Sequence, residues 1–143
     1  MIPRYANGVW WSRWYNYNNH GVKSIVDAYR SRSVPLDVYI LDMDWHTKYH
    51  WGGYSVDHTL FPYPQDTWGD WLHAQGLHMA ANLHDATGVY ASEATFDAMC
   101  KALGLNPATT ANIPFDIMSA KYMLNLEDIT LQAVEDVGMD FWW

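Results

Sequence analysis

Two aspartates at the end of a short apolar segment are the residues of this chain whose types and spacing best suit chemistry. Asp42 and Asp44 follow Val38–Leu41, a run too short for a helix but rich in the residue types of buried strands. Because side chains alternate along a strand, we expect both carboxylates to share one face with Val38 and Ile40. Burying an unpaired carboxylate is unfavourable, so this face must open from a packed core into a polar pocket.

Metal binding is one use for such a pocket. The run from Asp42 to His46 carries possible ligands at alternate positions, and His73, His78 and His84 are further candidates. These three histidines lie on different predicted elements and lack the compact spacing of a ligand set. We therefore predict no metal site and no cofactor.

Other roles for the acidic residues need no metal. Asp42 can contact a bound ligand or pair with a core arginine such as Arg13, and both structural pairing and ligand contact are open for Asp44. Asp85 follows a third predicted strand, where it can line the same pocket or cap a loop. Strand alternation places His84 on the face opposite Asp85, which favours a packed supporting role for this histidine.

The composition limits the classes of partner. The chain has 143 residues, a net charge of −8, nine Trp and ten Tyr. An acidic chain of this kind is predicted to bind neither nucleic acid nor an anionic membrane surface, and it has no apolar run long enough to span a bilayer. So many aromatic residues indicate a large core or a surface that stacks on flat ligands such as sugars.

The amino end of the chain and its cysteine content give expectations about targeting and compartment. No apolar run typical of a signal peptide follows Met1. Cys100 is the single cysteine, which rules out an internal disulfide and favours a reducing compartment. Because Cys100 lies on an apolar helical stripe, we expect it to be buried.

Hydrophobic periodicity predicts strands that alternate with helices. The predicted strands are 8–15, 38–41, 77–84 and 139–143, and the predicted helices are 21–32, 64–76, 92–103 and 119–137, the last with a break near 125–128. Such alternation is typical of a parallel α/β sheet, whose sites lie at the carboxyl ends of its strands. A small open sheet and half of an eight-stranded barrel both fit. The last predicted strand ends in two tryptophans, which favours the half barrel. A natural domain rarely ends on a bare apolar strand edge, because the unpaired edge groups invite aggregation.

The long aromatic loop at 47–63 is predicted to be ordered and functional, since it carries Tyr49, Trp51 and Tyr54. We expect Trp51 and Tyr54 to stack on a sugar, whereas Trp68 and Trp71 belong to the core. The remaining acidic residues are predicted to lie on solvated helix faces: Glu93, Glu127, Asp128, Glu135 and Asp136.

Several of these segments together resemble glycoside hydrolase family 31, the α-glucosidase-like retaining enzymes, from Pro3 to Trp143. The segments are Arg13-Trp14, Leu36-Asp37-Val38, Leu41-Asp42-Met43-Asp44-Trp45, Gly52-Gly53-Tyr54, Phe61-Pro62 with Pro64, and Leu72-His73-Ala74-Gln75-Gly76. The resemblance implies a partial TIM (β/α)8 barrel, with residues 1–143 forming strands one to four, the N-terminal half. It implies an α-glycoside as the substrate.

The resemblance also implies which residues bind the sugar. Asp42 corresponds to the acid that hydrogen-bonds the sugar next to the scissile bond, and Met43 lies where family members shape the same pocket. Asp44 and Asp85 are the further candidate acids, Asp85 matching an acid at the end of strand three. The aromatic residues after the first strand, Trp14 and Tyr15, lie where a stacking side chain is expected, with Tyr17 as the competing position.

No catalytic residue is predicted within the chain itself. The resemblance places the nucleophilic aspartate at the end of strand four, just beyond Trp143, and strand alternation favours a position two residues further on. The catalytic pair of a retaining glycosidase stands roughly 5–5.5 Å apart and flanks the scissile bond. Asp42 and Asp44 lie side by side and are therefore not that pair. A non-catalytic carbohydrate-binding relative and a metal-dependent barrel hydrolase remain alternatives.

Overall fold

A four-stranded parallel sheet forms the centre of the computed structural model, which describes residues 1–47 and 50–143. In all, the described residues form six strands, which are β1 (Trp10–Arg13), β2 (Val38–Leu41), β3 (His78–Ala81), β4 (Val89–Tyr90), β5 (Asn112–Ile113) and β6 (Phe141–Trp142). The central sheet has the order β1-β2-β3-β6, and β4 pairs antiparallel with β5 in a separate two-stranded sheet. The parallel α/β sheet predicted from the sequence is confirmed, as an open sheet with β1 and β6 at its edges.

Helices cross over between the parallel strands. They are α1 (Asn19–Ser31), a π-helical segment (Asp66–Leu72), α2 (Phe96–Leu103), α3 (Ala120–Asn125), a second π-helical segment (Leu126–Leu131) and α4 (Gln132–Glu135), while a 3-10 turn (Arg4–Asn7) precedes β1. The Asn18 side chain accepts a hydrogen bond from the Gly21 N–H and starts α1, as asparagine does at helix N-termini. The break expected near 125–128 is the second π-helical segment.

Two predicted elements are longer than the observed ones. The third strand ends at Ala81 rather than at 84, because the next carbonyl, that of Asn82, accepts the indole N–H of Trp45 at 2.8 Å. Helix 92–103 begins at Phe96, because the preceding residues form a turn around the buried Glu93. The paired strands β4 and β5 lie in segments that were not predicted to be strands.

The two faces of the central sheet are packed differently. The helix-covered face is lined by Tyr39, Leu41, Met79 and Ala81, which join the large core cluster that includes Trp68. We call the opposite face the inner face. There Val38, Ile40 and Ala80 pack against Tyr5, Trp10 and Phe141. The 3-10 turn supports this face, since the Tyr5 carbonyl accepts the Trp10 indole N–H at 2.8 Å.

A second core forms in the segment between β3 and β6. We call residues 88–126 the inserted lobe; it comprises the paired strands β4 and β5 with α2 and α3. Its buried side chains include Val89, Phe96, Cys100, Ile113 and Tyr122. The predicted burial of Cys100 is confirmed.

The acidic residues assigned to solvated helix faces divide into three groups. Glu127, Asp128 and Asp136 are exposed, as predicted. Glu135 is half-buried and accepts the indole N–H of Trp142 at 2.8 Å. The prediction for Glu93 is wrong, because this side chain is only 6% exposed and accepts hydrogen bonds from another loop. Among the described residues, no helix is both long and apolar enough to span a lipid bilayer.

Candidate functional site

The carboxyl ends of β1, β2 and β3 bring exposed aromatic side chains to one edge of the sheet. Trp14 directly follows β1 and is 63% exposed, and Trp51 in the loop after β2 is 61% exposed. Their ring centroids are 6.3 Å apart in an edge-to-face arrangement. The Trp51 ring lies 5.5 Å from the ring of His84. We call Trp14, Trp51 and His84 the aromatic rim.

The two tyrosines next to Trp14 differ in accessibility. Tyr15 is exposed, with the Arg13 guanidinium 5.0 Å from its ring centroid. Tyr17 is buried and packs edge-to-face on Tyr39 in the main core. Tyr17 therefore does not compete with Trp14 and Tyr15 for a ligand at the surface.

The segment after β2 leaves the strand earlier than the sequence predicts. Asp42, Met43 and Asp44 are all half-buried. Met43 has a positive φ of 32°, and the Asp44 N–H donates to the Asp42 carbonyl at 2.5 Å. The expectation that strand alternation extends to Asp44 is therefore wrong, because the backbone turns at Met43. Asp42 directly follows the helix-facing Leu41, so continued alternation would direct its side chain to the inner side, where Ile40 packs.

The next two residues anchor this turn in the core. Trp45 is fully buried, and its indole N–H donates to the Asn82 carbonyl, which links the end of β2 to the end of β3. His46 is also buried, with its Nδ1 2.8 Å from the Thr47 carbonyl oxygen. A Cβ at Gly53 would press against the His46 ring, so a glycine is required for this close packing. The acidic turn is therefore followed directly by two residues that are buried in the core.

The alternative ion pair between Arg13 and Asp42 is not formed. Both residues are described by the structure, and no salt bridge joins them; Arg13 lies instead over the Tyr15 ring. Within residues 1–47 and 50–143, no group of three or more His, Cys, Asp or Glu side chains is arranged to hold a metal ion.

Asp85 is half-buried, and its charge acts on the inserted lobe. Burial, and secondly the Asp85 carboxylate, raises the pKa of Tyr122 to about 12. Burial, followed by the charges of Tyr122, Asp85 and Glu93, also raises the pKa of Tyr54. Both hydroxyls are buried without a hydrogen-bond partner within the described residues.

Of the loop residues expected to stack on a sugar, only one is available to do so. Tyr54 is 3% exposed and belongs to the core of the inserted lobe, so its predicted stacking role is wrong. Trp51 is exposed in the aromatic rim. Tyr49 lies outside the described residues. The core assignment holds for Trp68, which is fully buried, and Trp71 packs against the same cluster while Lys23 lies over its ring.

Comparison with known proteins identifies a family and several similar proteins. The family described as "Glycosyl hydrolases family 31 TIM-barrel domain" matches residues 1–143. An alpha-xylosidase of Saccharolobus solfataricus is 29% identical over 147 residues, an alignment that covers 100% of this chain and 19% of that protein. The chain therefore spans about a fifth of the length of this relative.

Solved structures agree on the fold. The GH31 alpha-xylosidase from a soil metagenome, complexed with xylose, has a TM-score of 0.76 at 19% identity, covering 100% of this chain and 22% of that one. A xylosidase from Aspergillus niger has a TM-score of 0.74 at 18% identity, covering 99% of this chain and 21% of that one. The open parallel sheet described above thus has the fold of part of a TIM barrel, and the match over all 143 residues shows that the chain belongs to glycosyl hydrolase family 31.

Proposed function

We propose that the protein containing this chain is a retaining α-glycosidase of the α-glucosidase and α-xylosidase type, and that residues 1–143 form strands one to four of its barrel. The observation that carries the proposal is the family match over the whole chain. The name of the Saccharolobus relative makes α-xylosides the first substrates to test.

Asp42 is the residue proposed to hydrogen-bond the sugar hydroxyls. It follows a fully buried strand, and alternation from Ile40, which packs on the inner face, would direct its side chain to the same side. A half-buried carboxylate at the carboxyl end of a barrel strand suits ligand binding, because barrel sites are built there. Met43 and Asp44 complete the same turn and are proposed to shape the pocket beside Asp42.

The exposed aromatic residues are proposed to stack on the apolar face of the sugar. Trp14 and Trp51 meet edge-to-face, and Tyr15 stands next to Trp14. Flat, rigid rings of this kind give a large contact area at low entropic cost, which suits carbohydrate recognition. Asp85 is proposed to line the same edge from the loop that follows β3.

The nucleophile is proposed to lie two positions beyond Trp143 on the strand that continues β6. Phe141 packs into the inner-face cluster, and its ring centroid is 5.4 Å from that of Trp10. The Trp143 ring also contacts Trp10, at 5.5 Å, whereas Trp142 packs against the two other clusters. Alternation from Phe141 and Trp143 directs the next residue of that set to the inner side as well.

The test uses the protein expressed from its complete reading frame and an aryl α-xyloside or α-glucoside. Asp42→Ala should lower kcat/KM by about tenfold or more, which corresponds to about 1.4 kcal/mol of lost transition-state binding. Asp97→Ala, which removes an exposed carboxylate on α2, is the matched control and should leave kcat/KM unchanged. An unchanged value for Asp42→Ala would refute its role. Sugar binding by a wild-type protein that does not hydrolyse either substrate would instead indicate a non-catalytic carbohydrate-binding relative.

A further inference from the structure

The loop that carries Trp51 is fastened to neighbouring backbone at several points. The His50 ring stacks on the Tyr90 ring of β4, with centroids 3.5 Å apart and planes 16° from parallel. Gly52 lies so close to the chain after β3 that a Cβ would overlap the His84 carbonyl oxygen. These contacts lie on either side of Trp51 in the sequence.

Glu93 makes the strongest of these attachments. Its Oε2 accepts the Tyr54 N–H at 3.0 Å and the Ser55 hydroxyl at 2.7 Å. The Ser55 oxygen in turn accepts the Ala94 N–H at 2.8 Å, so the two segments hold each other reciprocally. Hydrogen bonds to an ionised acceptor are about twice as strong as neutral ones.

The burial of Glu93 makes this attachment specific. A carboxylate that is 6% exposed is tolerated only where hydrogen bonds replace its water, and the donors come from the loop itself. If the loop moved away, the charge would lose those donors inside the protein. The loop geometry next to Trp51 is therefore strongly determined.

Trp51 contrasts with its anchored neighbours. Its side chain is 61% exposed and touches only the edge of the Trp14 ring and the tilted ring of His84 among the aromatic contacts of the described residues. A large side chain that is this exposed has little packing to fix its orientation. The position of its backbone must come from the fastened residues on either side.

We propose that Glu93 is a positioning residue that holds Trp51 opposite Trp14, so that a sugar meets a preformed aromatic wall rather than a mobile loop. The inference rests on the proposed sugar-binding function of the aromatic rim. Preformed contacts raise affinity because ordering entropy is not lost on binding. The inserted lobe then contributes to ligand binding through the loop that it fastens, without touching the sugar.

The first experiment tests the attachment without any ligand. Hydrogen–deuterium exchange is measured on peptides covering residues 50–56 in the protein from the complete reading frame. Glu93→Ala should accelerate exchange in these peptides at least tenfold, whereas Glu93→Gln, which keeps an acceptor oxygen for both donors, should not. Ser55→Ala gives a milder version if Glu93→Ala folds poorly. Unchanged exchange in both Glu93→Ala and Ser55→Ala would overturn the proposal.

The second experiment asks whether Glu93 acts through Trp51. With an aryl α-xyloside, Glu93→Ala should raise KM by about tenfold with kcat little changed, and Glu93→Gln should restore the wild-type KM. In a Trp51→Ala background, Glu93→Ala should raise KM no further, since the ring that it positions is gone. A fully additive loss in that background would show a general structural role and overturn the proposal. If the wild-type protein is inactive, the proposed function fails, while the exchange experiment still decides whether Glu93 holds the loop.

Discussion

Asp140 and Met79 exchange two hydrogen bonds across neighbouring strands. The Asp140 N–H donates to the Met79 carbonyl at 2.9 Å, and the Asp140 carboxylate accepts the Met79 N–H at 2.7 Å. Asp37 and Val9 exchange the same two kinds of hydrogen bond, and both are 2.8 Å long. Each aspartate stands one residue before its strand, so each carboxylate replaces a missing backbone acceptor and fixes the strand register at the amino end of the sheet.

Loss of the Asp140 carboxylate should therefore destabilise the sheet. Asp140→Ala leaves the Met79 N–H without its acceptor and removes the contact with His73 Nε2, also 2.8 Å away. We expect a loss of about 1–3 kcal/mol in the free energy of unfolding, measured by urea denaturation. Asp140→Asn, which retains an acceptor oxygen, should lose less. The control Asp136→Ala removes an exposed carboxylate and should change stability by less than about 0.5 kcal/mol. Equal effects of Asp140→Ala and Asp136→Ala would contradict this account.

The indole of Trp45 should be needed for its nitrogen as well as its bulk. Trp45→Phe keeps an aromatic ring in the core but leaves the Asn82 carbonyl without the donor it has at 2.8 Å. Together with the smaller ring volume, this should reduce stability by about 1–3 kcal/mol in chemical denaturation. Trp51→Phe, at an exposed position, is the matched control and should cost little. A neutral Trp45→Phe would show that the hydrogen bond contributes nothing.

Stability should fall at alkaline pH because buried tyrosines resist ionisation. Burial raises the pKa of Tyr122 to about 12 from its ordinary 10.0, and burial also raises the pKa values of Tyr39 and Tyr54. The unfolded chain releases these protons near pH 10, while the folded chain retains them. The stabilising contribution of Tyr122 is thus complete below pH 10 and is lost as the pH rises through about 12.

The tyrosine prediction is checked by urea denaturation at a series of pH values from neutral to about 12. Tyr122→Phe should weaken the pH dependence and have little effect near neutrality, because the hydroxyl it removes has no partner within the described residues. Tyr63→Phe, at an exposed tyrosine, should leave the pH profile as it is. A wild-type stability that does not change with pH above 10 would refute the prediction.

Residues 1–143 expressed alone should be inactive and prone to association. The sheet is open at β1 and β6, and large apolar side chains such as Trp14, Trp51 and Trp143 are more than half exposed. Open strand edges and apolar surface favour aggregation and the binding of a hydrophobic dye. Light scattering and dye fluorescence, compared with the protein from the complete reading frame, measure both. A soluble, active monomer of residues 1–143 would contradict the half-barrel proposal.

The parallel sheet could be predicted because its signals are long and local. Each pair of a strand and the following helix extends over tens of residues. The apolar stripe of α1, with Val22 and Val26 buried, is visible in the sequence alone. The pairing of β4 with β5 could not be predicted, because strands of two residues are too short to show an alternation of apolar and polar residues. Val89 and Ile113 are instead buried by packing with Phe96 of α2 and Tyr122 of α3.

The candidate site was predictable to a similar degree. The acidic end of β2 followed from the residue pattern, but the turn at Met43 did not, since a positive φ in a non-glycine residue is imposed by tertiary packing. The same holds for the buried Glu93: its acidic character suggested a solvated face, whereas its donors come from Tyr54 and Ser55, far earlier in the sequence. Tyr54 is buried because its side chain packs into the core of the inserted lobe.

The left-handed backbone at Met43 has a consequence for how this position tolerates substitution. Holding a methionine at a φ of 32° costs of order 1 kcal/mol or more, a strain that glycine would not incur. Glycine, however, would remove the side chain that stands between Asp42 and Asp44. Selection for heat resistance and selection for turnover should therefore enrich different residues at position 43.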